Sequence, residues 1–300
     1  MASNPEKQQG IHSSWIENAE WWDTTMGLNG NKYWQQLQKP SLERLVPVQP
    51  GCKALDLATG NGLVARWLAG KGASVTASDG SEEMIKHAAR RSSPDETERI
   101  SYRVLDVTLP EAFEDLFKSE SAVKKPQPNN SILWHVYLLT MCLFKKKGGF
   151  DIVTCNMALM DISDLEPLAD ALPKLLKRGG IFFATLLHPV FFTSGATRFV
   201  EVVTNEATGE YYNARGKIVR EYRDKAPWRG VAVNGQPAFQ LYFHRPLDVL
   251  LGTFFKTGLV MDSLEELYFD EADAVKERPE SSANYTQIPA IMALRFRKLQ

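Results

Sequence analysis

The chain holds little that would staple it, anchor it or draw it to a polyanion. Its 300 residues contain three cysteines, Cys52, Cys142 and Cys155. These are too few and too scattered for a disulfide framework or a zinc site, so no metal is expected and a reduced, cytoplasmic setting is. Lysine and arginine number 35 against 36 acids, a formal net charge of -1. That leaves no electrostatic footprint for nucleic acid. The opening residues, Met1-Ala2-Ser3-Asn4-Pro5-Glu6-Lys7, have no apolar core of the kind a secretory signal needs. An apolar run from Ile132 to Phe144 falls short of the roughly 20 residues that span a bilayer. What the chain has is core: 44% of it is hydrophobic, enough for one large α/β domain with a full interior, or for one domain and a lid.

One stretch carries the most information. Ala54-Leu55-Asp56-Leu57 reads as a short apolar strand, Ala58-Thr59-Gly60-Asn61-Gly62 as a glycine turn, and Leu63 as the start of a helix. A Cβ at Gly60 or Gly62 would obstruct a ligand approaching the backbone. The free N–H groups of the helix favour a carboxylate or phosphate there. A second strand, Ser74 to Ser78, ends on Asp79, where an acid can accept hydrogen bonds from both hydroxyls of a ribose. Gly80-Ser81-Glu82-Glu83 then reads as a helix start with Ser81 as N-cap. The fold class is a doubly wound α/β sheet that binds the adenosine half of a cofactor. Gly60-x-Gly62-x-x-Ala65 alone also satisfies a nicotinamide fingerprint, so an NAD(P)-dependent reductase is one reading.

Asp56, inside the strand and four residues before Gly60, separates the two. The pattern Asp56-x-Ala58-x-Gly60-x-Gly62 resembles the first motif of class I S-adenosylmethionine-dependent methyltransferases, with alanine where glycine is commoner. Further segments are similar to the same family. Tyr102 to Val107 looks like the third strand, with Asp106 and Val107 at the adenine. Phe150 to Met157 looks like the fourth, with Asn156 and Met157 beside the methionine moiety. Leu172 to Gly180 is like the helix and glycine turn before a fifth strand, Ile181 to Leu186. Thr257-Gly258-Leu259-Val260 and Ile291 to Lys298 look like the sixth and seventh strands. The resemblance spans about Leu45 to the C-terminus. It implies a seven-stranded, mostly parallel, Rossmann-like sheet with S-adenosylmethionine as cofactor. The implied cofactor residues are Asp56, Ala58, Gly60, Gly62, Asp79, Gly80, Ser81, Asp106, Val107, Asn156 and Met157.

The chain is read as a single methyltransferase domain over 1–300 with three additions. Residues 1–45 hold Trp15, Trp21, Trp22 and Trp34 and form a helical lid ahead of the cofactor half at 46–118. Residues 190–245 are rich in aromatics and glycine turns, a small cover suited to a flat apolar acceptor. Residues 119–149 fit poorly, because the family's link here is short. A retained intron from Val123 to Lys145 is one reading; a membrane-surface hairpin and an extra lid helix are the others.

Methyl transfer from a sulfonium asks mainly for alignment and the exclusion of water. An oxygen acceptor often also needs a base working near pH 7, which histidine suits. His188, in Leu187-His188-Pro189, and His244, in His244-Arg245-Pro246, are the candidates. The same patterns resemble a small-molecule-modifying subgroup of the family. The expected function is methyl transfer to a small organic molecule, with oxygen the expected acceptor atom. The alternatives are the reductase and a family member that binds the cofactor without transferring methyl. For the reductase the chain has no Tyr-x-x-x-Lys; its nearest pair is Tyr211 with Arg215.

Overall fold

The computed structural model describes residues 5–121, 149–275, 277–278 and 281–299. Its centre is a set of strands buried on both faces. β1 (Lys53–Leu57) turns Leu55 and Leu57 to one side and Ala54 to the other, each without solvent exposure. Two-sided burial is the habit of parallel sheets covered by helices. β2 (Ser74–Asp79) and β3 (Ile100–Val104) extend the sheet in parallel beyond β1 on one side; β4 (Phe150–Asn156) and β5 (Leu176–Leu187) do so on the other. Two ribbons follow, β6 (Thr197–Thr204) with β7 (Tyr211–Ile218), and β8 (Trp228–Gly230) with β9 (Gln240–Tyr242). β10 (Leu259–Leu267) and β11 (Ile291–Lys298) complete a seven-stranded sheet in the order β10-β11-β5-β4-β1-β2-β3, with β11 antiparallel to both neighbours.

Helices cover both faces. α1 (Pro5–Met26) leads into a π-helical turn at Trp34–Gln38 and α2 (Lys39–Leu45). α3 (Leu63–Gly70), α4 (Glu82–Arg91), the one-turn α5 (Pro94–Thr97) and α6 (Pro110–Ser121) alternate with the strands, followed by α7 (Glu166–Leu175) and α8 (Leu247–Phe255). One core joins α6, α7 and α8 to Leu55, Leu57, Val153 and Phe182; the other joins α2 and α3 to Ala54, Ile152 and Phe183. The strand order reverses between β1 and β4. In such sheets ligands bind in the crevice at the carboxyl ends of the strands beside that reversal.

Two expected elements shift. The third strand ends at Val104 rather than Val107, because the Asp106 carboxylate takes the Thr108 N–H (2.9 Å) and hydroxyl (2.7 Å) and turns the chain. The fifth strand, expected to begin at Ile181 after a helix end and glycine turn over Leu172 to Gly180, already begins at Leu176, where the helix has ended at Leu175. A Cβ on Gly180 would lie 2.9 Å from the Lys177 carbonyl and 3.0 Å from that of Phe150, so only glycine lets these backbones approach. The retained-intron segment, Val123 to Lys145, lies outside the described residues. No helix among the described residues is long and apolar enough to cross a membrane.

Phe296 is fully buried, with ring centroids 5.1 Å from Phe254, 5.9 Å from Phe255 and 6.3 Å from Phe182. Phe296→Ala is expected to lower unfolding free energy by about 3–5 kcal/mol in denaturant titration.

Candidate cofactor and acceptor site

The crevice is a cavity of about 960 Å³, at the upper end of the ~300–1,000 Å³ usual for ligand pockets. Its floor is the set of strand ends. β1 gives way to a turn in which Ala58 has φ 50°, Gly60 φ 55° and Gly62 φ 85°. Ala58 and Met157 (φ 55°), after β4, are the two non-glycine residues with positive φ among the described residues, and both line the cavity. Such strain costs roughly 1–3 kcal/mol per residue and gathers where function needs a particular backbone. It also gives the reason a glycine is commoner at position 58.

Two carboxylates hold the turn. Asp56 is fully buried; it accepts from the hydroxyls of Thr59 (2.5 Å) and Thr154 (2.7 Å) and from the Ala65 N–H at the head of α3. Asp79 Oδ2 accepts from the Gly60 N–H and Oδ1 from the Ser81 N–H, each at 2.9 Å. Ser81 in turn caps α4 by accepting from the Met84 N–H at 3.3 Å. Asp106, Val107 and Gly80 stand beside them in the lining. Asn156 donates to Gln38 Oε1 (2.8 Å) and accepts from the Thr185 hydroxyl (2.7 Å); the Met157 N–H meets the Thr185 carbonyl at 2.9 Å. The cavity therefore gathers Asp56, Ala58, Gly60, Asp79, Gly80, Ser81, Asp106, Val107, Asn156 and Met157. Gly62 is set back from it. A Cβ there would lie 3.0 Å from Arg66 Nη1 and 3.2 Å from both Ala88 Cβ and Tyr102 Oη, so Gly62 serves packing behind the turn. An adenosyl group suits this floor. The backbone at Gly60 is open, since a Cβ there would have only Trp22 Nε1 near it, at 3.8 Å, and carboxylates end two adjoining strands.

The histidines are a correction. His188 is 2% exposed and absent from the lining; its Nδ1 accepts from the Val190 N–H (3.3 Å) and its Nε2 meets Glu266 Oε1 (2.8 Å). The strand explains it. Leu187 faces the cavity, so the next residue faces away. His244 sits between the Thr193 hydroxyl (2.9 Å) and the Tyr222 carbonyl (2.6 Å), also outside the lining. Burial lowers the pKa of both rings, so each works as a neutral hydrogen-bonding post. Arg245 gives its N–H groups to the carbonyls of Leu159, Ile162 and Ser163 and pins the loop after β4. Asp164, one residue ahead of the α7 N-cap, accepts from the Glu166 N–H (2.9 Å).

The rest of the cavity is lined by aromatic and polar residues of the N-terminal helix, the loop after β4 and the ribbons. Trp15 and Trp22 meet edge to face (5.4 Å) over the floor, while Trp34 is core. Trp228 and Tyr242 stack at 4.6 Å on the wall. Asp161 is buried beside them and takes a hydrogen bond from Gln240 Nε2 (3.1 Å); burial pushes its pKa well above the ordinary carboxylate value. Gln38, Lys217 and Arg198 are lining residues missed from sequence. Gln38 has no signal of its own; the two cations come together only through ribbon register. Tyr211, half of the nearest reductase-like pair, is 77% exposed and outside the lining.

With this geometry in view, the comparisons with known proteins agree. A family profile described as "Methyltransferase domain" matches residues 31–229. The ubiquinone biosynthesis O-methyltransferase of Xanthomonas campestris pv. campestris (strain B100) is 31% identical over 170 residues, 53% of this chain and 57% of that protein. The chain thus spans little more than half the length of the curated relatives it matches first. An S-adenosylmethionine-dependent methyltransferase structure from Mesorhizobium loti is alike at TM-score 0.59 and 21% identity, covering 90% of this chain and 100% of that one. The DhpI-SAM-HEP complex is alike at TM-score 0.54 and 17% identity, over 99% and 100%. These two likenesses show the fold. The chain belongs to the methyltransferase-domain family, the class I S-adenosylmethionine-dependent methyltransferases.

Burial raises Asp56 from 3.8 to about 6. An acid raised in the folded state holds its proton more tightly there than in the unfolded chain. Stability is therefore expected to fall as pH rises from about 4 to about 6. Asp56→Asn removes that slope. Between pH 4 and pH 6.5 the native protein is expected to lose roughly 2–3 kcal/mol relative to the variant in denaturant titrations.

Proposed function

We propose that this family member transfers the methyl group of S-adenosylmethionine to an oxygen of a small, flat, largely apolar molecule. One observation carries the reading: a single cavity runs from the strained strand ends to an aromatic wall made by the lid and the cover. The name of the Xanthomonas relative supports oxygen as the acceptor atom. The reading includes a small acceptor rather than nucleic acid and a cytosolic setting, in keeping with the net charge of -1 and the free Cys52 and Cys155.

When bound, S-adenosylmethionine supplies a methyl group already activated on a sulfonium. The protein's part is then alignment and desolvation. Asp79 and Asp106 stand where a ribose and an adenine edge would meet the strand ends. Gln38 and Asn156, joined to each other, offer amide groups at the end of β4. Trp15 and Trp22 close the floor to water. The Trp228–Tyr242 stack gives a flat apolar surface for a ring. Asp161, whose pKa burial raises, lines the same cavity and offers a carboxyl group to a polar atom of the acceptor. His188 and His244 keep the adjoining loops in place.

Calorimetric titration with S-adenosylmethionine, S-adenosylhomocysteine and NADPH tests the cofactor. Binding of the two adenosyl ligands, with none of NADPH, is expected; NADPH alone would restore the reductase. Release of S-adenosylhomocysteine on a panel of phenols, amines and thiols separates transfer from binding without transfer. Asp79→Ala is expected to weaken S-adenosylhomocysteine roughly tenfold or more, since hydrogen bonds to a charged group are worth about 1.5–3 kcal/mol each. Unchanged affinity removes Asp79 from the ribose.

A further inference from the structure

The cover carries a pair of cations that the reading above leaves unused. In the β6–β7 ribbon Arg198 lies directly opposite Lys217. Like charges placed so are destabilising. Both side chains line the cavity. Arg198 donates to the Ser282 hydroxyl at 3.3 Å; Lys217 Nζ donates to the Phe191 carbonyl at 2.7 Å and stands 3.0 Å from the centroid of the Phe192 ring. Among the described residues no carboxylate forms an ion pair with either. Lys225, the third cation of the lining, has its own partner in Glu221 at 2.5 Å. The lining acids, Asp56, Asp79, Asp106 and Asp161, all belong to the strand ends and the loops that follow them. The two opposed cations sit on the ribbon instead, and among the described residues neither has an ion-pair partner. Burial, and then Arg198, push Lys217 down to about 7, the direction expected of an ammonium that lacks an anion.

We propose that Arg198 and Lys217 form an oxyanion subsite of the acceptor pocket, so that the molecule methylated is a small acid bearing a carboxylate or phosphate-type group. The guanidinium fork suits two oxygens of such a group and the ammonium supplies a compact second charge. An anion between them would turn a repulsive cross-strand pair into a bridged one. The proposal rests on the functional reading above, because it assigns the anion to the acceptor. The aromatic wall then takes the flat body of the same molecule, and the charged end fixes which edge of it faces the strand ends.

The test is calorimetric titration of the whole chain, with and without saturating S-adenosylhomocysteine. The probes are 3,4-dihydroxybenzoate, its uncharged amide and inorganic phosphate. The acid is expected to bind at least about tenfold more tightly than the amide. Inorganic phosphate that competes with the acid is expected if the subsite also takes phosphate-type groups; phosphate without effect on the acid restricts it to carboxylates. Arg198→Met and Lys217→Met are each expected to lose about tenfold for the acid and nothing for the amide or for S-adenosylhomocysteine, and Arg198→Lys to regain part of the loss. Both methionine variants are expected to melt no lower than the native protein, since each removes a like-charge opposition. A large fall in melting temperature with the acid-to-amide ratio unchanged would make the pair structural and overturn the proposal. Loss of S-adenosylhomocysteine affinity in the variants would assign the cations to the carboxylate of the cofactor and also overturn it. Equal binding of acid and amide by a protein that binds S-adenosylhomocysteine removes the subsite and leaves the methyltransferase reading standing. Failure of the native chain to bind S-adenosylhomocysteine removes that reading, while the ratio measured without it still decides the subsite.

Discussion

The turn after β1 stands because two carboxylates grip it from opposite sides. Asp56 reaches forward from within the strand to the Thr59 hydroxyl and the Ala65 N–H; Asp79 reaches across from β2 to the Gly60 N–H. Between them the backbone is held in left-handed conformations that Ala58 would not choose alone. The two acids reach this work differently. Asp56 is sealed from solvent, and desolvation biases it toward the protonated form. Asp79, at the end of β2, lines the cavity and accepts from two backbone N–H groups. The two acids thus hold one turn from different degrees of burial.

The lid and cover depend on that floor through polar chains. Asp23 of α1 pairs with Arg91 of α4 and lies 3.2 Å from His87, while Asn61 in the turn donates to it at 3.4 Å. Burial pushes Asp23 up, but the Arg91 guanidinium outweighs this and holds the carboxyl below its usual value. Further along α1, the fully buried Asn18 exchanges two hydrogen bonds with Ala238, both 2.9 Å. The Ala238 carbonyl also accepts from Gln236, which donates to Gln240, which donates to Asp161 on the cavity wall. A continuous set of hydrogen bonds therefore runs from the lid helix through the cover to the acceptor half. Buried polar groups satisfied in this way fix one arrangement, because any slip leaves a donor or acceptor without a partner in a dry interior.

The strands, the glycine turn and most of the cofactor floor are legible in the chain because their signals are local. A strand that must be buried on both faces is written as a contiguous apolar run, and its ligand-facing end as an acid or a glycine. β11 occupies the span expected of it, Ile291 to Lys298. The histidines mislead because residue type is visible in a sequence and side-chain direction is not. Strand parity at Leu187 sends His188 behind the sheet edge, toward Glu266 of β10, a residue 78 positions away. Arg198 and Lys217 stay hidden for the complementary reason. Nothing in a span of nineteen residues announces that these two face each other; that follows from the register of one ribbon. Gly62 has the right residue type for a different physical reason, close packing against Ala88 and Tyr102.

The division of labour across the cavity follows from what each element can supply. Parallel strand ends are rigid, being hydrogen-bonded on both sides and packed above and below, so they can hold strained backbone and fixed carboxylates to the tolerance that alignment requires. The two-stranded ribbons cannot. β6 and β7 pair only with each other, and much of their surface is exposed, including Val200, Val202, Tyr211 and Tyr212. A ribbon of that kind is marginal by itself. Placing opposed cations on it weakens it further when no anion is present. The strained backbone and the carboxylates are thus carried by the sheet, and the opposed cations by an element whose order a bound molecule can improve. The hydrogen-bonded chain through Gln236, Gln240 and Asp161 reaches the cavity wall without passing through the β6–β7 ribbon, so a change in the ribbon leaves that chain in place.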